Sequence, residues 1–173
     1  MNNALQQHNT RQGLYTAEER QRRDASPWTL VQGILAPLQF LVFLVSLVLV
    51  INYHNNGTGL GAATGSVVIK TLVLYAIMIT GAIWEKDVFG QYLFAHPFYW
   101  EDMVSMLVIA LHTAYLACWL FGLLPDRGQM WLALAAYTAY LVNAAQFLIK
   151  FQSARESAPA RTEAGSGWLG AAE

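Results

Sequence analysis

Four stretches of this chain carry almost no charge over the lengths that a helix needs to cross a bilayer. Trp28 to Ile51 reads WTLVQGILAPLQFLVFLVSLVLVI, without a charged residue. Val67 to Trp84 contains only Lys70, near its start, Met103 to Leu124 contains one histidine, His112, and Met130 to Ile149 contains no charge. Each stretch falls within the roughly 17–25 residues that span a hydrocarbon core as helix. Helix is favoured there because no water is present to satisfy the backbone polar groups. The expected fold is therefore all-α, an integral membrane bundle of four transmembrane helices at about 28–51, 67–84, 103–124 and 130–149. A soluble bundle would place polar residues at every third or fourth position, and Leu38 to Ile51 offers almost none. A signal peptide does not fit, because the first apolar run follows a polar arm and is too long. The alternating segments of a β-barrel are absent.

Composition narrows the function classes. Of 173 residues, 55% are hydrophobic and 12% charged, where soluble domains average about a quarter charged. Disorder is disfavoured by the same figures. Lys and Arg number 10 against 11 Asp and Glu, so no basic excess suggests nucleic acid, and the expected partner is the lipid bilayer. The lone Cys118 removes disulfide frameworks and thiolate zinc sites.

The chain divides into a polar arm over residues 1–27, the helical domain over 28–150, and a tail over 151–173. The tail is rich in Ala, Gly, Ser and Glu and is expected to be flexible. In the arm, Thr16 and Glu19 form a capping-box pattern that predicts a short amphipathic helix through Arg23, outside the bilayer. Ser26-Pro27 offers an N-cap and a first-turn proline for the first span. Pro37 should bend that span by removing a backbone hydrogen bond. Asn55 to Gly61 reads as a flexible loop.

Ionisable and polar groups within or beside spans are the candidates for chemistry. Glu85 closes the second span, Asp87 follows it, and Glu101 and Asp102 open the third. Hairpin ends lie near each other, so Glu85 can approach Glu101 or Asp102 at one membrane edge. Glu85 and Glu101 are the expected proton-handling pair, with Asp102 third. Acids in a helix's first turn also favour its dipole, which accounts for Asp102 without any function. His112 lies eleven residues past Glu101, about 20° round and roughly 16 Å deeper. Glu101, Ser105, His112 and Tyr115 thus share one face, and His112 is either a hydrogen-bonding strut or an axial metal ligand. His96, before Pro97, reads equally as a surface or a site residue. Gln32, Gln39, Asn143 and Gln146 either bind a ligand or join helices. The segment WEKDVFGQYLFAHPFYWED sets Trp84, Phe89, Tyr92, Phe94, Phe98, Tyr99 and Trp100 among charges that include Lys86. An interfacial aromatic belt explains some of these rings, and a large flat ligand needing stacking surfaces would use the same set.

LYTAEERQRRDASPWTLVQGILAPLQFLVFLVS, VIKTLVLYAIMITGAIWEKDVFGQYLFAHPFYWEDMVS, IALHTAYL and QMWLALAAYTAYLVNAAQFLIK closely resemble the 2-vinyl bacteriochlorophyllide hydratases. These are small integral membrane proteins of phototrophic bacteria that make bacteriochlorophyll. The resemblance runs from about Leu14 to Gln152. It implies hydration of the 3-vinyl group of chlorophyllide a, or of a bacteriochlorophyllide intermediate, to a 1-hydroxyethyl group. It also implies a multi-pass protein of the bacterial inner membrane, cytoplasmic or intracytoplasmic, with other pigment-biosynthesis enzymes or a second copy as further partners.

Water addition needs no redox cofactor, and no nucleotide-binding fingerprint is present. Protonating the terminal CH₂ leaves a cation that the macrocycle delocalises, so water adds at the carbon next to the ring. That step asks for a general acid and for a carboxylate that orients water. A carboxyl at the edge of a low-dielectric region can hold its proton near neutral pH. The resemblance brings no catalytic residues with it. From the residues themselves, Glu85, Glu101 and Asp102 are the catalytic candidates, and Trp84, Lys86, Tyr92, His96, Trp100 and His112 the substrate-binding ones. No protein-bound metal is expected, and His112 is the candidate ligand for the substrate's magnesium. The rival class is a non-enzymatic pigment-binding or assembly protein.

Orientation follows from the cations near span ends. Arg11, Arg20, Arg22, Arg23, Lys86, Lys150, Arg155 and Arg161 lie on one side, against Lys70 and Arg127 on the other. Both termini and the 85–102 connection are thus expected in the cytoplasm. Reporter fusions at Gly57 and Gly128 should read as non-cytoplasmic and a fusion at Ala95 as cytoplasmic; a periplasmic signal at Ala95 would reverse the topology.

Overall fold

The structure, a computed structural model, describes residues 14–156, with side chains described through Ser153. The start of the polar arm and the end of the tail lie outside the described residues. Five helices follow in order: α1 Ala17–Ala25, α2 Pro27–Asn56, α3 Leu60–Phe89, α4 Tyr99–Phe121 and α5 Asp126–Glu156. Four of them, α2 to α5, are long and apolar enough to cross a membrane.

The helix ends follow local chemistry. Thr16 accepts from the Glu19 amide at 3.2 Å while Glu19 accepts from the Thr16 amide at 2.7 Å, closing the capping box of α1. Ser26 holds the N-cap position of α2 but makes no side-chain cap bond. Its hydroxyl instead donates to Asp87 Oδ2 at 2.9 Å, tying the start of α2 to the end of α3. The helix runs on through Pro37. The loop expected over Asn55–Gly61 shrinks to three residues, because Gly57 at φ 69° and Gly59 at φ 84° both take the left-handed conformation and reverse the chain at once. As a result α3 starts at Leu60, seven residues before its apolar window. At the far end, left-handed Gly122 stops α4 at Phe121, short of the expected Leu124.

Packing makes two hairpins, α2 with α3 and α4 with α5, each closely packed along its length and more sparsely joined to the other. The polarity is that of a membrane protein. Leu30, Ile34, Val45, Ile79, Leu120 and Ile149 are exposed, whereas Gln39, Ser46, Lys70, Glu85, His112 and Asn143 are buried. In water that distribution would lose most of the hydrophobic gain; in lipid it keeps costly polar groups away from hydrocarbon. The apolar core at mid-bundle includes Phe43, Val50, Val67, Leu74, Val108 and Tyr137. The face expected for Glu101, Ser105, His112 and Tyr115 is buried as a unit.

The position of Lys70 differs from the sequence expectation. Lys70 does not flank a span on the far side. It lies ten residues inside α3 and is wholly buried, so the far-side cation count falls to Arg127.

Candidate functional site

The acids gather where α3 ends and α4 begins. Glu85 sits one turn before the end of α3, Asp102 in the first turn of α4, and both are buried. Their side chains are in hydrogen-bond contact with each other. A carboxyl–carboxyl contact is attractive only with a proton between the two groups, since two anions at that separation repel. The connection over residues 90–98 folds back across the pair. The Phe94 amide donates to Asp102 Oδ2 at 2.7 Å, and the next amide, Ala95, donates to Glu85 Oε2 at 3.2 Å.

That arrangement has a backbone cost. Phe94 takes φ 59°, the single non-glycine residue of positive φ among those described, a conformation that costs about 1–2 kcal/mol for an L-residue. The two amide–carboxyl bonds hold it there. Gly90 at φ 84° ends α3, and Lys86 Nζ donates to its carbonyl at 2.7 Å, fixing where the connection leaves the helix.

Glu101, the expected partner of Glu85, is placed differently. Its Oε2 accepts from Lys150 Nζ of α5 at 2.7 Å. Consecutive helical residues diverge by about 100°, so Asp102 faces α3 and Glu101 faces α5. The structure thus brings Glu85 together with Asp102 and commits Glu101 to an ion pair. Lys150 also lies 5.2 Å from the Phe98 ring centroid.

Neighbouring the acids in sequence is an aromatic cluster centred on Phe98, which contacts Tyr15, Trp84, Phe89, Phe147 and Phe151 at centroid distances of 5.7–6.4 Å. Trp84 is part of this packing and donates its indole N–H to Thr29 Oγ1 at 2.9 Å. Tyr15 stacks on Phe89 at 5.8 Å, with the Arg23 guanidinium over its ring at 4.8 Å. Burial pushes its phenol up to about 12, so it stays neutral at physiological pH. Other candidates face outward. Trp100, Tyr92, Lys86 and His96 are exposed around the acid pair's connection, with Lys86 Nζ 5.4 Å from the Tyr92 ring centroid.

His112 lies deeper and is engaged at both ring nitrogens. Nδ1 is 2.8 Å from the Val108 carbonyl, which can only accept, so this nitrogen carries the hydrogen. Nε2 then accepts from Lys70 Nζ at 2.9 Å. An axial bond from this imidazole to a magnesium ion would require Lys70 to leave. The features missed in sequence are Lys70 at this depth, the Lys150–Glu101 pair, and the bond from Asn143 Nδ2 to Ser105 Oγ at 2.9 Å. The signal for Lys70 was present, since a lysine inside an apolar window falls under the same rule that singled out His112.

The family description "2-vinyl bacteriochlorophyllide hydratase" matches residues 15–153. A 2-vinyl bacteriochlorophyllide hydratase of Rhodobacter capsulatus is 64% identical over 149 residues, covering 86% of this chain and 86% of its own. A protein of the same description from Cereibacter sphaeroides is 64% identical over 142 residues, covering 82% of this chain and 88% of its own. No solved structure matches.

The Lys150–Glu101 pair yields a stability test. Lys150→Met leaves a largely buried carboxylate unpaired and should lower stability by about 1–3 kcal/mol. Adding Glu101→Gln should recover most of that loss. Thermal unfolding of the detergent-solubilised variants reads the difference, and additive losses would show that the two groups do not interact.

Proposed function

The chain belongs to the 2-vinyl bacteriochlorophyllide hydratase family, and from that premise we propose that it hydrates the 3-vinyl group of chlorophyllide a, or of a bacteriochlorophyllide intermediate, to the 3-(1-hydroxyethyl) product. In reaction class it is a carbon–oxygen lyase working in the hydrating direction. The observation that supports this reading best is the contact between the Glu85 and Asp102 carboxyls beneath the Phe94 and Ala95 amides.

A pair that holds one proton suits this reaction. The protonated member donates to the terminal CH₂ of the vinyl group, and the positive charge moves to the carbon beside the ring, where the macrocycle spreads it. Two carboxylates now face that cation and stabilise it. Water attacks the cationic carbon and returns one proton to the pair, so the pair ends as it began and no cofactor is consumed. Glu101, neutralised by Lys150, adds no further negative charge to the resting site.

The exposed rings of Trp100 and Tyr92 flank the approach of the flat substrate to the acid pair. His96, adjacent to Ala95 and exposed, meets the edge of the substrate at that approach, and the occupied nitrogens of His112 do not suit a bond to its magnesium. The connection and both termini lie on the cytoplasmic side of the bacterial inner membrane, in keeping with the cation asymmetry.

Incubating the purified protein with chlorophyllide a in ¹⁸O-labelled water tests the reading. The hydroxyethyl product should carry the label, and Glu85→Gln and Asp102→Asn should each cut turnover about 10²–10⁴-fold while pigment still binds. Pigment bound without any labelled alcohol would mean that the protein is a carrier and not an enzyme. Normal turnover in both variants would move the acid elsewhere.

A further inference from the structure

Away from the acids the two hairpins meet along a seam where several polar side chains are buried beside the apolar core. Both amide atoms of Gln39, the Oδ1 of Asn143 and the Oε1 of Gln146 are buried there without a partner among the described residues. Gln39 is one turn from Phe43, which packs on Tyr137 and Tyr140 at 5.3 and 4.9 Å. Asn143 is one turn along α5 from Tyr140. One layer deeper lies Lys70, 0% exposed, donating to His112 and standing 3.9 Å from the Tyr140 ring centroid and 5.8 Å from that of Tyr137. No carboxylate pairs with it among the described residues.

We propose that Lys70 receives the carboxylate of the substrate, which lies in the seam between the hairpins with its vinyl group at the Glu85–Asp102 end. This rests on the hydratase reading above and names how the same site holds its substrate. An ammonium at hydrocarbon depth is costly without an anion, and lipid headgroups stay at the membrane surface. An anion that reaches this level must therefore ride on an apolar body. The surroundings suit such a body once the hairpins part: the rings of Phe43, Tyr137 and Tyr140, packed on one another in the closed seam, then present their faces beside a few convergent amides.

The depth also suits it. From Asp102 to His112 is ten residues of α4, roughly 15 Å. That is too far from ring centre to vinyl group, but it is of the order of the span from the vinyl group across the macrocycle to the propionate carboxylate. The sparser packing between hairpins than within them gives the route by which a flat molecule inserts. His112 is then a positioning residue: its Nδ1 is held by Val108, and its Nε2 fixes the ammonium.

The test compares binding of chlorophyllide a and its propionate methyl ester to the full chain in lipid nanodiscs, by fluorescence titration. Wild type should bind the acid about tenfold or more tightly than the ester, as a hydrogen bond to a charged group contributes. Lys70→Met should lower the acid to the ester's affinity and leave the ester unchanged, and Lys70→Arg should keep the preference. Equal affinities in wild type, a result that needs no variant to fold, would overturn the assignment, as would a preference retained in Lys70→Met. Oleate at equal concentration should not displace the acid; displacement would assign the lysine to fatty-acid carboxylates instead. Glu85→Gln should keep the preference while losing turnover, so failure of the hydratase reading is told apart from failure of this one.

Discussion

Two carboxyl groups from different hairpins meet at the junction of α3 and α4, and the local structure is arranged around that contact. Glu85 and Asp102 face each other with the amides of Phe94 and Ala95 laid across them. The bonds do two things together. They join the hairpins at one end of the bundle, and they hold Phe94 in a backbone conformation that a phenylalanine ordinarily avoids. Strain of this kind persists where surrounding bonds over-determine it, and here those bonds are made by the groups proposed to handle the proton.

The bilayer supplies the second constraint. Because hydrocarbon cannot solvate polar groups, the bundle turns many of its leucines, isoleucines and valines outward and buries Gln39, Asn143, Ser46, Ser105, Lys70 and His112. Joining helices through such groups contributes modestly per bond, so the seam is not needed in this form for stability alone. A polar, partly unpartnered seam ending at a carboxyl pair is more economically understood as a surface for a ligand that is flat, apolar and singly anionic. The two ends of the seam carry different chemistry, acids at the junction and the buried Lys70 amine roughly 15 Å deeper.

Much of this was legible in the sequence because the strongest signals are lengths and charges. Four charge-poor windows gave four spans, and the Thr16–Glu19 spacing gave the capping box. The Glu101–Ser105–His112–Tyr115 face came from helical periodicity and is buried as that spacing requires. What sequence left open was set by packing between distant segments. Glu101 and Asp102 are adjacent and chemically alike, and which of them faces Glu85 depends on where α5 delivers Lys150, 49 residues further on. Lys70 was misread because an apolar window marks only the middle of a helix. Left-handed glycines at 57 and 59 let α3 begin at Leu60 and carried the lysine inside.

The claim on which the account stands is that Glu85 and Asp102 act as one unit holding a single proton. Turnover of Glu85→Gln, Asp102→Asn and the double variant, measured side by side, tests it most directly. Groups that act as a unit are grossly non-additive, so the double variant should lose no more than the worse single one. A double variant whose loss is the product of the two single losses would contradict the account, because two carboxyls acting independently would then be contributing separate steps.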